Sequence, residues 1–158
     1  MLRHPAHAIA LGMGSGLSPF APGTAASLWA WVAFLLLTPF LSDAAWAMTI
    51  GLGFFVGWWA STVAARSLQQ ADPGCIVIDE IVAFWAVLWL ITPAGFWGQL
   101  AAFVLFRYFD AAKPGPVRWA DLAFKGEGAR GGFGVMVDDV VAAACTLLVF
   151  AVAIFLIA

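Results

Sequence analysis

The sequence predicts an all-α fold: a polytopic membrane helix bundle of about five transmembrane or membrane-embedded helices, forming one domain over residues 1–158. Three observations predict it. The chain is 64% hydrophobic and 10% charged, whereas a soluble domain is about a quarter charged. A core of this size cannot absorb that much apolar surface and keep a wettable exterior, so lipid is the better solvent. Second, no charge interrupts Ala44 to Ala65, a length that crosses a bilayer. Third, if the spans alternate, every Lys and Arg falls on one side of them. The mean hydropathy of +0.98 agrees.

The elements follow in chain order. Residues 1–23 read as a retained interfacial segment and loop, not a signal peptide, because Gly12, Gly14 and Gly16 break the apolar run. Thr24, after Pro22-Gly23, is the expected N-cap of a first span reaching about Leu41, with Pro39 loosening its end. Asp43 marks a short loop. The second span covers Ala44 to Ala65 and contains Gly53 and Gly57, a small-xxx-small spacing that supports helix pairing within the fold or between chains. The third begins at Ile76 or Asp79 and reaches Ile91, and "TPAG" turns the chain. The fourth runs from Phe96 to Phe109. The fifth starts at Asp138-Asp139 and continues to the end. Spans one, three and four are short for about 30 Å of hydrocarbon.

Alternation places the loops at 1–23, 66–78 and 110–137 on one side. Arg3, Arg66, Arg107, Lys113, Arg118, Lys125 and Arg130 lie there or at its rim, and the opposite loops have none. Positive loops stay cytoplasmic, so the N-terminus is expected inside and the C-terminus outside. Trp46 and Trp97 are expected near the outer interface and Trp119 near the inner one.

The same alternation gathers the chemistry. Asp79-Glu80 opens span three, Asp138-Asp139 opens span five, Arg107, Asp110 and Lys113 close span four, and Thr24 and Ser27 open span one. Carboxylates so near lipid are paired, hydrated or functional. Helix capping accounts for one acid per helix but not for two neighbours, which point about 100° apart. With Asp110 as a further acid, the pattern favours a hard cation, Mg²⁺ or Mn²⁺, held by oxygen. Arg107, Asp110 and Lys113 at i, i+3, i+6 also read as an ion-pair ladder. Arg130 precedes "GGFG", where glycines let backbone approach a ligand. Helices one, three and five would turn their positive ends to this face. Cation, basic side chains and helix N-termini together describe a phosphate receptor, and the membrane makes that phosphate a lipid's.

Other chemistries fit poorly. Cys75 is followed by "IVIDEIV", without the arginine that a cysteine phosphatase needs, and Cys145 sits in an apolar run. His4 and His7 lie in the N-terminal segment, far in sequence from the acids. "GMGSG" lacks the lysine of a nucleotide P-loop. A net charge of −2 without a basic arm gives no sign of nucleic acid. A small ion- or proton-coupled transporter using intramembrane carboxylates stays open as a second class, although the acids cluster at one face and no inverted repeat is evident.

"GSGLSPFAPGTAASL", "IVIDEIVAFW", "FRYFDAAKPGPVRWAD" and "GGFGVMVDDVVAA" resemble, in the same order, the phosphatidylglycerophosphatase A family of bacterial membranes. The resemblance runs from about Gly14 to Ala144. Its "RxxDxxKP" and "GGxGxMxDD" blocks are specific together. One departure is Ala26, where the family has a glycine, and slightly closer crowding is expected there. The resemblance implies a Mg²⁺-dependent phosphatase that converts the anionic phospholipid phosphatidylglycerophosphate to phosphatidylglycerol at the inner leaflet of the cytoplasmic membrane, and the oxygen donors of the acids admit Mn²⁺ as a substitute. It implies metal or acid/base roles for Asp79, Glu80, Asp110, Asp138 and Asp139, and phosphate-clamping roles for Arg107, Lys113 and Arg130, with Thr24 and Ser27 beside them. Within that set, Asp79 and Asp139 are the favoured ligands, and Asp138 or Glu80 the favoured water-orienting group.

Overall fold

The computed structural model describes residues 4–70 and 73–157, so Arg3, Asp72 and Ala158 lie outside the described residues. The described residues are helical, with no strand: α1 (Pro5–Ala10), a 3₁₀ segment (Gly12–Leu17), α2 (Pro22–Leu37), α3 (Asp43–Leu68), α4 (Ile78–Leu90), α5 (Phe96–Ala112), α6 (Pro116–Phe124) and α7 (Gly128–Ile157). Among the described residues, only α3 and α7 are long and apolar enough to cross a membrane. Of their most apolar stretches just 28% and 22% is buried inside the protein, unlike the core helix of a soluble domain. Leu52, Phe55 and Trp59 of α3 and Leu148, Val152 and Phe155 of α7 face outward. So broad an apolar exterior needs a non-aqueous neighbour. At 1.5 Å per residue the 13 residues of α4 rise only about 20 Å.

Several boundaries differ from expectation. Helix α2 begins at Pro22, not at Thr24: Ala21, left-handed at φ 45°, precedes a proline whose fixed φ suits the first helical position. Asp43 belongs to the first turn of α3, which Ser42 caps through the Ala45 amide. Helix α6, within the basic loop, was not expected.

The largest correction concerns α7. It starts at Gly128, so Asp138-Asp139 lie roughly three turns inside the helix and do not open it. The "GGFG" stretch is helix, not loop. Its glycines are there for packing. A side chain on Gly132 would strike Thr62 of α3, and one on Gly134 would stand 2.7 Å from the Phe124 carbonyl at the end of α6. Small residues of this kind let helix backbones close on one another in lipid.

The Gly53–Gly57 spacing is likewise spent inside the chain. Gly53 faces Val82 of α4, and Gly57 faces Met136 of α7 and Ile78 of α4. At the opposite end of the bundle, Phe34 and Trp85 pack around Trp46, which is only 2% exposed. Trp46 is therefore a core residue and not part of an interfacial belt, whereas Trp97 and Trp119 are exposed. Phe84 stacks on Phe106 between α4 and α5, directly behind the acidic residues.

Candidate active site

Three helices deliver the acids. Asp79 and Glu80 occupy the first turn of α4, Asp110 the last turn of α5, and Asp138 and Asp139 the middle of α7. Asp79 lies within electrostatic reach of Glu80, Asp138 and Asp110. Asp139 lies within reach of Asp110, Asp79, Asp138 and Glu80. The five carboxylates expected together are thus together, although α7 contributes its middle and not its N-terminus. The N-terminal turns of α2 and α4 do reach the site: Gly23 of α2 lies so close to Glu80 and Arg107 that a side chain there would collide with both. Thr24 stands half-buried in that same turn. At the far end Asp43 accepts a hydrogen bond from Trp89 Nε1 at 3.2 Å, away from the site.

Two basic residues divide the acids between them. Arg107 Nη1 donates to Asp110 Oδ2 at 2.6 Å and to Glu80 Oε1 at 3.0 Å, and reaches the fully buried Ser27 hydroxyl at 3.5 Å. Lys113 Nζ donates to Asp138 Oδ2 at 2.5 Å and to Asp121 Oδ1 at 2.8 Å. The Arg107–Asp110 rung of the expected ladder forms, and the Asp110–Lys113 rung does not. Lys113 ends α5 in the left-handed region (φ 44°, ψ 54°), which swings its side chain off the helical path toward α6 and α7. Burial pulls the Lys113 ammonium toward neutrality, but its bonds to Asp121 and Asp138 outweigh that and hold its pKa above the ordinary lysine value.

Arg130 is exposed and donates to the Ala123 carbonyl at 3.0 Å, so it braces α6 outside the ion-paired group. Asp121 was missed by sequence reasoning. Its signal lay in the "KPGPVRWAD" block, where Pro116 after a glycine opens a helix that carries Asp121 back to Lys113.

Some buried polar atoms at this centre have no partner among the described residues: Asp79 Oδ1, Asp139 Oδ2, Glu80 Oε2 and Arg107 Nε. Asp79, Asp138 and Asp139 each present an oxygen within 4.8 Å of the others'. Carboxylates 9% exposed or less are costly without countercharge. Three converging oxygens suit a hard cation, and the Arg107 Nε–H suits an anion.

A lipid-facing helical bundle enclosing a carboxylate cluster with an arginine and a lysine at its edge has the make-up of a membrane phosphohydrolase. The family model described as Phosphatidylglycerophosphatase A matches residues 8–154, and the chain belongs to that family. It is 39% identical to Phosphatidylglycerophosphatase A of Escherichia coli (strain K12) over 89% of this chain and 78% of that protein. It is 38% identical to Phosphatidylglycerophosphatase A of Haemophilus influenzae over 96% and 90% of the two chains. It is also 42% identical, over 92% and 91%, to a Bacteroides thetaiotaomicron protein named as a candidate phosphatidylinositol-3-phosphatase. No solved structure matches.

Proposed function

We propose that this chain hydrolyses the terminal phosphomonoester of phosphatidylglycerophosphate to phosphatidylglycerol and inorganic phosphate, at the cytoplasmic face of a bacterial inner membrane, with Mg²⁺ bound by Asp79 and Asp139 and with Asp138 beside it as the water-orienting carboxylate. The family match and the curated relatives support the dephosphorylation. The observation that carries the site is the convergence of these three carboxylates beside Arg107 and Lys113.

The bound cation would polarise the phosphate and lower the pKa of a water. The chain's own residues do the rest. Arg107, whose Nε has no hydrogen-bond partner among the described residues, binds the phosphate and offsets its charge as the phosphorus–oxygen bond to glycerol breaks. Lys113 adds the second positive charge. Glu80 and Asp110 fix the guanidinium in place. Asp138, poised by Lys113, orients the attacking water and accepts its proton, and Glu80 is the alternative acceptor. The released glycerol oxygen takes up a proton and the phosphate leaves. Ser27 braces Arg107, and Thr24 lines the approach beside Gly23. Helices α2, α4 and α5 accompany α3 and α7 as short membrane-embedded elements, with the one-sided Lys and Arg keeping the acid-bearing end inside.

The test measures phosphate release from phosphatidylglycerophosphate and from phosphatidylinositol 3-phosphate, side by side in detergent micelles with Mg²⁺. The expected result is turnover of phosphatidylglycerophosphate at least tenfold faster in kcat/KM. Faster turnover of the inositol lipid would reassign the substrate, and turnover of neither would remove the reading.

A further inference from the structure

Asp121 lies outside the five carboxylates of the centre, yet the fold invests heavily in placing it. Pro114, Gly115 (φ 50°) and Pro116 make a stiff corner immediately after the left-handed Lys113, so α6 leaves the path of α5 and packs on α7. Val117 and Ala120, both 0% exposed, fasten α6 to the bundle. The far end of α6 rests on α7 at Gly134, where the bare backbone admits the Phe124 carbonyl, one helical turn before Asp138. Arg130 donates to the Ala123 carbonyl and holds the same end. Fixed at both ends, α6 presents Asp121 to Lys113 at 2.8 Å, on a pair only 24% and 29% exposed.

We infer that Asp121 is a positioning residue for the phosphate-binding lysine. An ammonium has three N–H donors. Asp138 takes one and Asp121 another, which leaves the third for a phosphate oxygen. If Asp138 were the sole partner, Lys113 would lose its anchor whenever that carboxylate turned to a cation or a water. Asp121 keeps the ammonium at the edge of the site through that exchange. This rests on the reading of Lys113 as phosphate-facing given above.

A double-mutant cycle on the full-length protein in detergent tests it, with phosphatidylglycerophosphate as substrate and inorganic phosphate as a competing product. Asp121→Asn should raise KM and the inhibition constant for inorganic phosphate by about tenfold, with kcat falling less, because phosphate binding is what a misplaced lysine loses. Asp121→Glu should recover part of that loss. In a Lys113→Met background, Asp121→Asn should change kcat/KM less than twofold, since no lysine remains to be positioned. If Asp121→Asn costs as much there as in the parent, or leaves the parent's KM unchanged, the inference is wrong. Should Asp121→Asn not fold, the comparison of Asp121→Glu in the two backgrounds decides in the same way. A parent without turnover would instead refute the proposed function, and a Lys113→Met variant as active as the parent would refute the role of Lys113.

Discussion

Asp139→Asn is expected to remove nearly all turnover, a loss of about 10² to 10⁴ in rate, while the protein remains monodisperse in detergent. Asp139 is 2% exposed, its Oδ2 has no partner among the described residues, and it shares a 4.8 Å cluster with Asp79 and Asp138. Replacing a buried and crowded carboxylate by an amide removes charge repulsion from the protein itself, so stability should hold or rise while the proposed cation site is lost. A ligand mutant should also raise the Mg²⁺ concentration for half activity, with excess Mg²⁺ or Mn²⁺ recovering part of the rate. Asp138→Asn should instead lower turnover at saturating metal with little change in that midpoint. Identical metal curves and turnover for the two would show that the aspartates act as one unit. Asp43→Asn, at the opposite end of the bundle beside Trp89, is the control and should be near neutral.

Arg107→Met is expected to be costly in both activity and stability. One nitrogen of Arg107 serves Glu80 and Asp110, whose side chains are each only 12% exposed. Removing it strands two carboxylates in a poorly hydrated place, which costs about 3 kcal/mol or more. It also removes the Nε–H proposed above to bind the phosphate, so turnover should fall by at least about 10². Arg107→Lys restores charge without the planar fork, so it should recover stability more than rate. Thermal unfolding in detergent, followed alongside phosphate release, separates the two effects. A variant with parental unfolding temperature and parental turnover would show that Arg107 is a solvated surface charge.

The acidic positions were legible in the sequence because charge is rare in this chain, so each carboxylate in an apolar setting stands out. Asp79, Glu80, Arg107 and Asp110 sit at helix ends where periodicity and turn residues placed them. Glycine in the "GGFG" stretch does not mark a loop as it does in soluble proteins. Residues 128–134 are helical, and the three-dimensional neighbours, Thr62 and Phe124, explain why no side chain stands at Gly132 and Gly134. Read as a loop, that stretch places Asp138-Asp139 at a helix start and credits them with a dipole that they do not feel. Lys113 misled for a local reason: helical spacing pairs it with Asp110, but a left-handed backbone turns it to Asp121 and Asp138. Trp46 shows the limit of composition, since a tryptophan near a span end suits an aromatic belt and a packed core equally well.

The most direct test of the central claim is phosphate release from phosphatidylglycerophosphate by the purified protein, first stripped of divalent cations by a chelator and then titrated with Mg²⁺. The account predicts no release after stripping, full recovery on adding Mg²⁺, and no recovery at the same concentration in Asp79→Asn. Release that persists undiminished through chelation, or recovers equally in Asp79→Asn, would contradict it.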